Sequence, residues 1–186
     1  MDKIIILSGK SGSGKDMTAH FMREILEAQN KRVIIIHYGD AVKWVLRDFF
    51  NWDGKKDEHG RTLLQHIGTD LVRTKHPNFW TSIVIGLLDA FENEFDVALI
   101  PDARFPNEIE LVEENLPDVI CARIERTING EPWINPVFTE EQLQHPSETS
   151  LNEYGFDYII HNDEGLPELK DAAQAMLTDL GLIEKE

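Results

Sequence analysis

The chain has 186 residues with a 41% hydrophobic fraction, which suits one folded unit with a real core and excludes a largely disordered polypeptide. Its net charge of −16 at pH 7 repels polyanions, so DNA and RNA are excluded as extended partners, while small phosphate ligands held by local amides and a few cations are not. No apolar stretch is long enough to span a bilayer, Met1-Asp2-Lys3 and the short apolar run behind it lack a signal-peptide layout, and Cys121 is the sole cysteine; a cytoplasmic protein with a buried thiol and no membrane association is expected.

Lys3 to Ser8 reads as a buried strand and Lys15 to Gln29 as an amphipathic helix, with Met17, Phe21, Ile25 and Leu26 near one face. Between them stands Gly9-Lys10-Ser11-Gly12-Ser13-Gly14-Lys15-Asp16. A glycine-rich loop closing on Gly-Lys between a strand and a helix is the context of a phosphate-binding P-loop. The glycines let successive N–H groups face phosphate oxygens, the helix N-terminus adds positive partial charge, and Lys15 reaches the β- and γ-phosphates. Asp16 stands where Ser or Thr normally holds Mg²⁺. A bare carboxylate beside a triphosphate is repelled unless a metal or water lies between; the competing reading is an ordinary acid in a helix's first turn.

Arg32 to Tyr38 is a second strand. Asp40 either caps the next helix, which carries Val42, Val45, Leu46 and Phe49, or faces an acceptor group. Asn51 to Gly60 reads as a polar loop, Arg61 to Arg73 as a helix, Pro77-Asn78 as a break and Phe79 to Phe95 as a longer, more buried helix. On spacing alone Arg73, with Lys75 and His76, is a phosphate clamp or a solvated helix end. Asp96 to Ile100 is a third strand ending at Pro101-Asp102. An acid there resembles a Walker B carboxylate, and Arg104 could grip a phosphate bidentately; the plain alternative is a turn Asp and a surface Arg paired with Glu108.

Pro106 to Leu116 is helical and Asp118 to Ile124 is a fourth strand. Glu125 to Glu141, punctuated by Gly130, Pro132 and Pro136, reads as a loop or lid. Arg123 and Arg126 flank it, as arginines that close over transferring phosphates or as a solvated strand end. Trp133 and Phe138 are base-stacking residues or buried lid aromatics. Ser147 is expected to cap a short helix from Ser147 to Tyr154. Tyr158 to His161 is a fifth strand, and Leu166 to Leu180 the closing helix. The 7 histidines lack metal-ligand spacing, so no zinc site is expected.

Strands alternating with helices predict an α/β fold with a parallel sheet covered on both faces. One domain over residues 1–186 is expected, its lid at about 125–141. Functional residues then gather at strand C-termini, where Gly9, Asp40, Asp102, Arg104, Arg123, Arg126, Asn162 and Asp163 fall.

Gly-x-x-x-x-Gly-Lys-Asp, the segment from Leu64 to Leu71 containing Gly68-Thr69-Asp70, Asp102-Ala103-Arg104, His145-Pro146-Ser147-Glu148 and Ile160-His161-Asn162-Asp163 occur in this order. Together they resemble the phage-type deoxynucleoside monophosphate kinases, from about Ile4 to Leu169. The resemblance implies a three-layer P-loop kinase fold with a five-stranded parallel sheet in the order 2-3-1-4-5. It implies ATP as donor, Mg²⁺ as cofactor and a (deoxy)nucleoside monophosphate as acceptor. By position, Gly9, Lys10, Ser11, Gly12, Ser13, Gly14, Lys15 and Asp16 would bind the ATP phosphates, with Arg123 and Asn162 also on the ATP side and Asn162 near the adenine. Asp40, Thr69, Asp70, Arg73 and Trp80 would line the acceptor side. Lys15, Asp102, Arg104 and Arg126 would act at the transfer point, Arg104 also touching the acceptor, and Asp16 and Asp102 would hold the metal. The short segment before Arg61 is where base specificity could reside, so the base stays open. The Gly-Lys-Asp loop also occurs in animal-type phosphomevalonate kinases. Another small phosphorylated acceptor, dephospho-coenzyme A-like or phosphomevalonate-like, therefore stays open, as does a non-enzymatic nucleotide switch. The expected partners are nucleotides, and the chain is a monomer or homodimer.

Overall fold

A computed structural model describes residues 1–184. Strands β1 (Lys3–Ser8), β2 (Val33–Ile35), β3 (Val97–Ala103), β4 (Val119–Ile128), β5 (Glu131–Pro132) and β6 (Tyr158–Asn162) are interleaved with helices. These are α1 (Lys15–Ala28), α2 (Tyr38–Phe50), α3 (Glu58–Gln65), a π-helix (His66–Arg73), α4 (Phe79–Ala90), α5 (Pro106–Asn115), α6 (Glu140–Gln144), α7 (Pro146–Thr149) and α8 (Leu166–Asp179). Five strands pair in parallel in the order β2-β3-β1-β4-β6, as expected, and β5 adds a short antiparallel partner to β4.

The alternation of side chains along the strands sorts the core into two layers. Ile5, Leu7, Leu99 and Ile124 pack against Met22 and Leu26 of α1 and Leu169, Ala173 and Leu177 of α8. Ile4, Ile6, Ala98 and Ile100 face the other way, onto Val84 and Leu88 of α4 and Ile109 and Val112 of α5. Burial on both faces is why these strands read as unbroken apolar runs. A smaller cluster, Val42, Leu46, Trp52, Ile67 and Trp80, knits α2, the π-helix and α4 together. Cys121 is free and buried, and burial pushes its thiol up to about 11.

Several boundaries differ from the sequence reading. Strand β3 does not stop at Ile100 but runs through Pro101 and Asp102 to Ala103. Ile6 pairs with Ile100 and Ser8 with Ala103, so two steps on β1 match three on β3, and this irregularity accommodates a proline that cannot donate to the ladder. Strand β4 runs on to Ile128 and turns back through Asn129 and Gly130, both with positive φ (55° and 82°), into β5. The lid therefore begins as a hairpin rather than a loop. The Arg61 helix starts earlier, at Glu58, where Asp57 accepts from the Gly60 N–H, and then widens into the π-helix. Helix α4 stops at Ala90, short of Phe95. Ser147 does not cap its helix: the His145 side chain accepts from the Ser147 N–H instead. Among the described residues no helix is long and apolar enough to cross a membrane.

Candidate active site

The loop between β1 and α1 is tight because it has glycine where nothing larger fits. Gly9 has φ 144°, and a Cβ there would lie 2.4 Å from the Ile124 carbonyl; Gly12 has φ 81°, with Trp133 Nε1 2.8 Å from its Cβ position. Lys15 is buried in the curl and donates to the carbonyls of Gly9 and Lys10, both at 2.9 Å. Burial, helped by the nearby Arg104, pushes its pKa down to about 7.

Asp102 was expected at the mouth of this loop, and it is there, tied down. Its two carboxylate oxygens accept from the N–H groups of Tyr38 and Gly39, each at 2.9 Å, at the start of α2. The strand acid thereby does the capping assigned in the sequence to Asp40, which lies inside the first turn with no capping bond from the N-cap side chain of His37. His37, which the sequence reading passed over, bridges two acids. Its Nε2 is 3.2 Å from Asp16 Oδ1 and its Nδ1 3.3 Å from Asp40 Oδ2, and these bonds hold its pKa up to about 9. The same bond to His37 lowers the Asp16 pKa, and Asp16 remains largely exposed beside Lys15.

Arg104 does not pair with Glu108. Glu108 is fully buried, accepts from the Arg104 and Phe105 N–H groups, and forms its ion pair with Arg73, which stacks 4.2 Å from the centre of the Phe105 ring. Burial raises the Glu108 pKa against the opposing pull of Arg73. The Arg104 guanidinium turns instead to Glu148, at 2.7 Å.

These groups surround a cavity of about 290 Å³. Ser11, Gly12, Lys15 and Asp16 line one part of it and Thr69, Arg73 and Trp80 another, and Arg104 joins the two through Glu148 to Ser11 and through Glu108 to Arg73; Asp102 lines it as well. Trp80 is buried and donates its indole N–H to the Gly68 carbonyl, so it presents ring rather than polar edge. The cavity also takes in Lys43, Lys56 and Arg61, which carry no motif in the sequence, and Gln65, Glu108 and Glu148, to which the sequence assigns no place in the site. Asp40 and Asp70 are not among the lining residues; Asp40 binds Lys43 at 2.7 Å and Asp70 binds His145 at 3.3 Å.

A second cavity of about 460 Å³ lies under the lid, bounded by Lys10, Ser13, Arg123, Arg126, Trp133 and Phe138. The lid rests on the P-loop: Arg126 donates to the Gly12 carbonyl at 2.9 Å, and Trp133, stacked under that guanidinium, donates to the Ser11 carbonyl at 3.0 Å. Arg123 donates to the Leu151 carbonyl and pairs with Glu125. Asn162 donates to the Ser13 carbonyl at 2.8 Å, so its amide braces the loop.

A glycine-rich loop at the centre of a parallel sheet ordered β2-β3-β1-β4-β6, with its lysine facing a cation-rich cavity, defines a P-loop kinase. Solved structures of kinases are similar to this chain across nearly its whole length. A sugar kinase from Janibacter sp. matches at 15% identity and TM-score 0.56, covering 98% of this chain and 96% of that one. A gluconokinase from Sinorhizobium meliloti matches at 18% identity and TM-score 0.52, covering 96% and 93%. The APS kinase of Mycobacterium tuberculosis, in complex with AMPPNP and APS, matches at 14% identity and TM-score 0.51, covering 97% and 98%. At such identities the likeness is one of fold. No curated protein matches the sequence. The family model described as deoxynucleotide monophosphate kinase matches residues 47–173. The chain belongs to the deoxynucleotide monophosphate kinase family, and it is a phosphotransferase of the nucleotide kinase type.

Proposed function

We propose that the protein transfers the γ-phosphoryl group of ATP to the phosphate of a deoxynucleoside monophosphate. The observation that carries this reading is that the P-loop and the Thr69–Arg73 stretch line one cavity, with Arg104 joining the two and Asp102 lining it as well. A donor phosphate cradled on one wall thus faces an acceptor on the other without crossing solvent.

In this reading Gly9 to Asp16 hold the donor phosphates through backbone N–H groups, and Lys15 leaves the loop carbonyls to meet phosphate oxygens. Arg73 and Arg104, with Arg61 and Lys56, hold the acceptor phosphate and the migrating group. Thr69 and Trp80 bound the acceptor, while Asp40 and Asp70 act from behind, through His37 and His145. Arg126 and Arg123 close the donor side with the lid, and Asn162 supports the loop beneath the ATP base. The acceptor is already an anionic phosphate, so positioning and charge compensation replace a strong general base.

The residues present fit Mg²⁺. Asp16 offers an open, hard carboxylate, and each Asp102 oxygen keeps a lone pair beyond its amide bond. When bound, the ion would neutralise phosphate charge, with Asp16 and Asp102 as its protein ligands.

The test is a coupled ADP assay over the common ribo- and deoxynucleoside monophosphates, with dephospho-coenzyme A and phosphomevalonate as further arms. ADP formation stimulated by one or more deoxynucleoside monophosphates is expected. Turnover only with the further arms would move the acceptor class, and tight nucleotide binding with no stimulated turnover would make the protein a switch.

A further inference from the structure

We infer that Glu148 is a positioning residue for phosphoryl transfer, tethering the Arg104 guanidinium to the rim of the P-loop. The inference rests on the transfer reaction proposed above.

The Glu148 carboxylate is nearly buried, with 6% of its side chain exposed. One oxygen accepts from Arg104 Nη1 at 2.7 Å; the other accepts from the Ser11 N–H, a P-loop amide, at 3.2 Å. The neighbouring Ser147 carbonyl accepts from the same Nη1 at 3.4 Å, and Asn152, one turn on, accepts from Lys10 Nζ at 2.7 Å. A single carboxylate therefore joins two elements, the P-loop and the end of β3, that must keep their spacing for a phosphoryl group to pass between them. Its charge also counters the downward push that burial puts on Lys10, Lys15 and Arg61.

Arg104 is held at both ends. Its main-chain N–H is fixed by Glu108 and its Nη1 by Glu148, while among the described residues Nε and Nη2 take no hydrogen-bond partner. That leaves the planar edge of the guanidinium, the one that grips a phosphate bidentately, free to face the cavity. A long side chain with large rotamer freedom is thus aimed before substrate arrives.

The experiment is a double-mutant cycle on Glu148→Ala and Arg104→Ala, read as kcat and KM for ATP with the best acceptor of the panel. Glu148→Ala should lower kcat by about 10- to 100-fold, the scale of a misplaced group, without raising KM for ATP. The double variant should be no slower than Arg104→Ala alone, because Glu148 acts through that arginine. Glu148→Gln keeps one acceptor oxygen for Nη1 but sets an NH2 donor against the Ser11 N–H, so it should recover only part of kcat, falling between the parent and Glu148→Ala. Should the alanine variant unfold, Glu148→Met keeps the volume, drops the acceptor and carries the same expectation. A kcat within twofold of the parent, losses that multiply in the double variant, or a raised KM with unchanged kcat would overturn the inference. If the parent phosphorylates no acceptor, the reaction proposed above falls separately. The cycle is then read on acceptor-free ATP hydrolysis, where coupling between positions 104 and 148 supports the tether and independence overturns it.

Discussion

The P-loop wall of the cavity and the wall opposite differ in what holds their polar groups. The P-loop is contiguous, made largely of backbone, and seated on strands buried on both faces, with Ile4 to Leu7 at most 2% exposed. The opposite wall is assembled from α2, α3, the π-helix, α4 and α5, and it is held by side-chain pairs: Arg73 with Glu108, and His37 between Asp16 and Asp40. Its apolar support is the small Val42–Leu46–Trp52–Ile67–Trp80 cluster, and α2 leaves Trp44, Phe49 and Phe50 exposed. Phosphate binding is a generic task met by local backbone geometry. In the proposed reading, acceptor recognition is a particular task met by long-range pairing, and a wall held that way is expected to be the more adjustable one.

The largest expected effect tests whether the donor wall works alone. Lys15→Ala should lower kcat by roughly 10³-fold with every acceptor, measured under saturating ATP, because the lost charge serves the migrating group whatever receives it. A loss that varies strongly with acceptor would break the separation of the walls. Next, Arg73→Ala should destabilise the fold by about 3–5 kcal/mol in urea unfolding, since it strips the buried Glu108 carboxyl of its counter-charge and leaves it only two backbone N–H partners. A loss under about 1 kcal/mol would show that the acceptor wall does not depend on that pair.

The walls should also respond to pH with opposite sign. Lys15 has its pKa lowered in the fold to about 7, so the unfolded chain binds more protons above pH 7 and this residue's contribution to stability rises with pH up to about 10.5. His37 has its pKa raised to about 9; its stabilisation is complete below about 6.5 and is lost as pH rises through 9. Thermal unfolding of His37→Gln should therefore climb more steeply than the parent between pH 7 and 9, and Lys15→Met should lose the rise. ATP recharges Lys15, so its binding should take up a proton and weaken by up to about tenfold per pH unit above 7, read by calorimetry in two buffers. The smallest effect belongs to Gln65, which lines the cavity and whose amide reaches Gln142 and Ser147. Gln65→Leu should shift the ratio of kcat/KM between acceptor bases by roughly 10-fold while KM for ATP stays put.

The same contrast explains what could be read from the chain. The strands were legible because burial on both faces leaves apolar runs, and the P-loop because its residues are adjacent. Pro101 hid the end of β3: a proline predicts a stop, and only the register shift against β1 shows how the ladder continues. The Asn129-Gly130 turn was in view, but the prolines around it suggested a loop. Arg61, Lys56 and Lys43 carried no spacing signal, because their convergence depends on how α2, α3 and the loop between them pack, and Glu148 was in view only as part of the His145-Pro146-Ser147-Glu148 motif, with no role attached. Asp102 takes the capping role that Asp40 could have filled for a similar reason: both lie near a strand end in sequence, but only the folded sheet brings Asp102 to the first amides of α2.

The π-helix from His66 to Arg73 makes chain length itself part of the site. Each of its hydrogen bonds reaches back five residues rather than four. Deleting one residue from this stretch would let it close to α-helical spacing while the segments on either side keep nearly their facing, because the wide turn is what takes up the extra residue. The side chains of the wide turn itself, Thr69 among them, would be re-aimed, and the Gly68 carbonyl that receives the Trp80 indole would shift. Conservative changes of letter at these positions would be absorbed one by one, whereas a single-codon deletion would reshape this wall of the cavity and spare the P-loop.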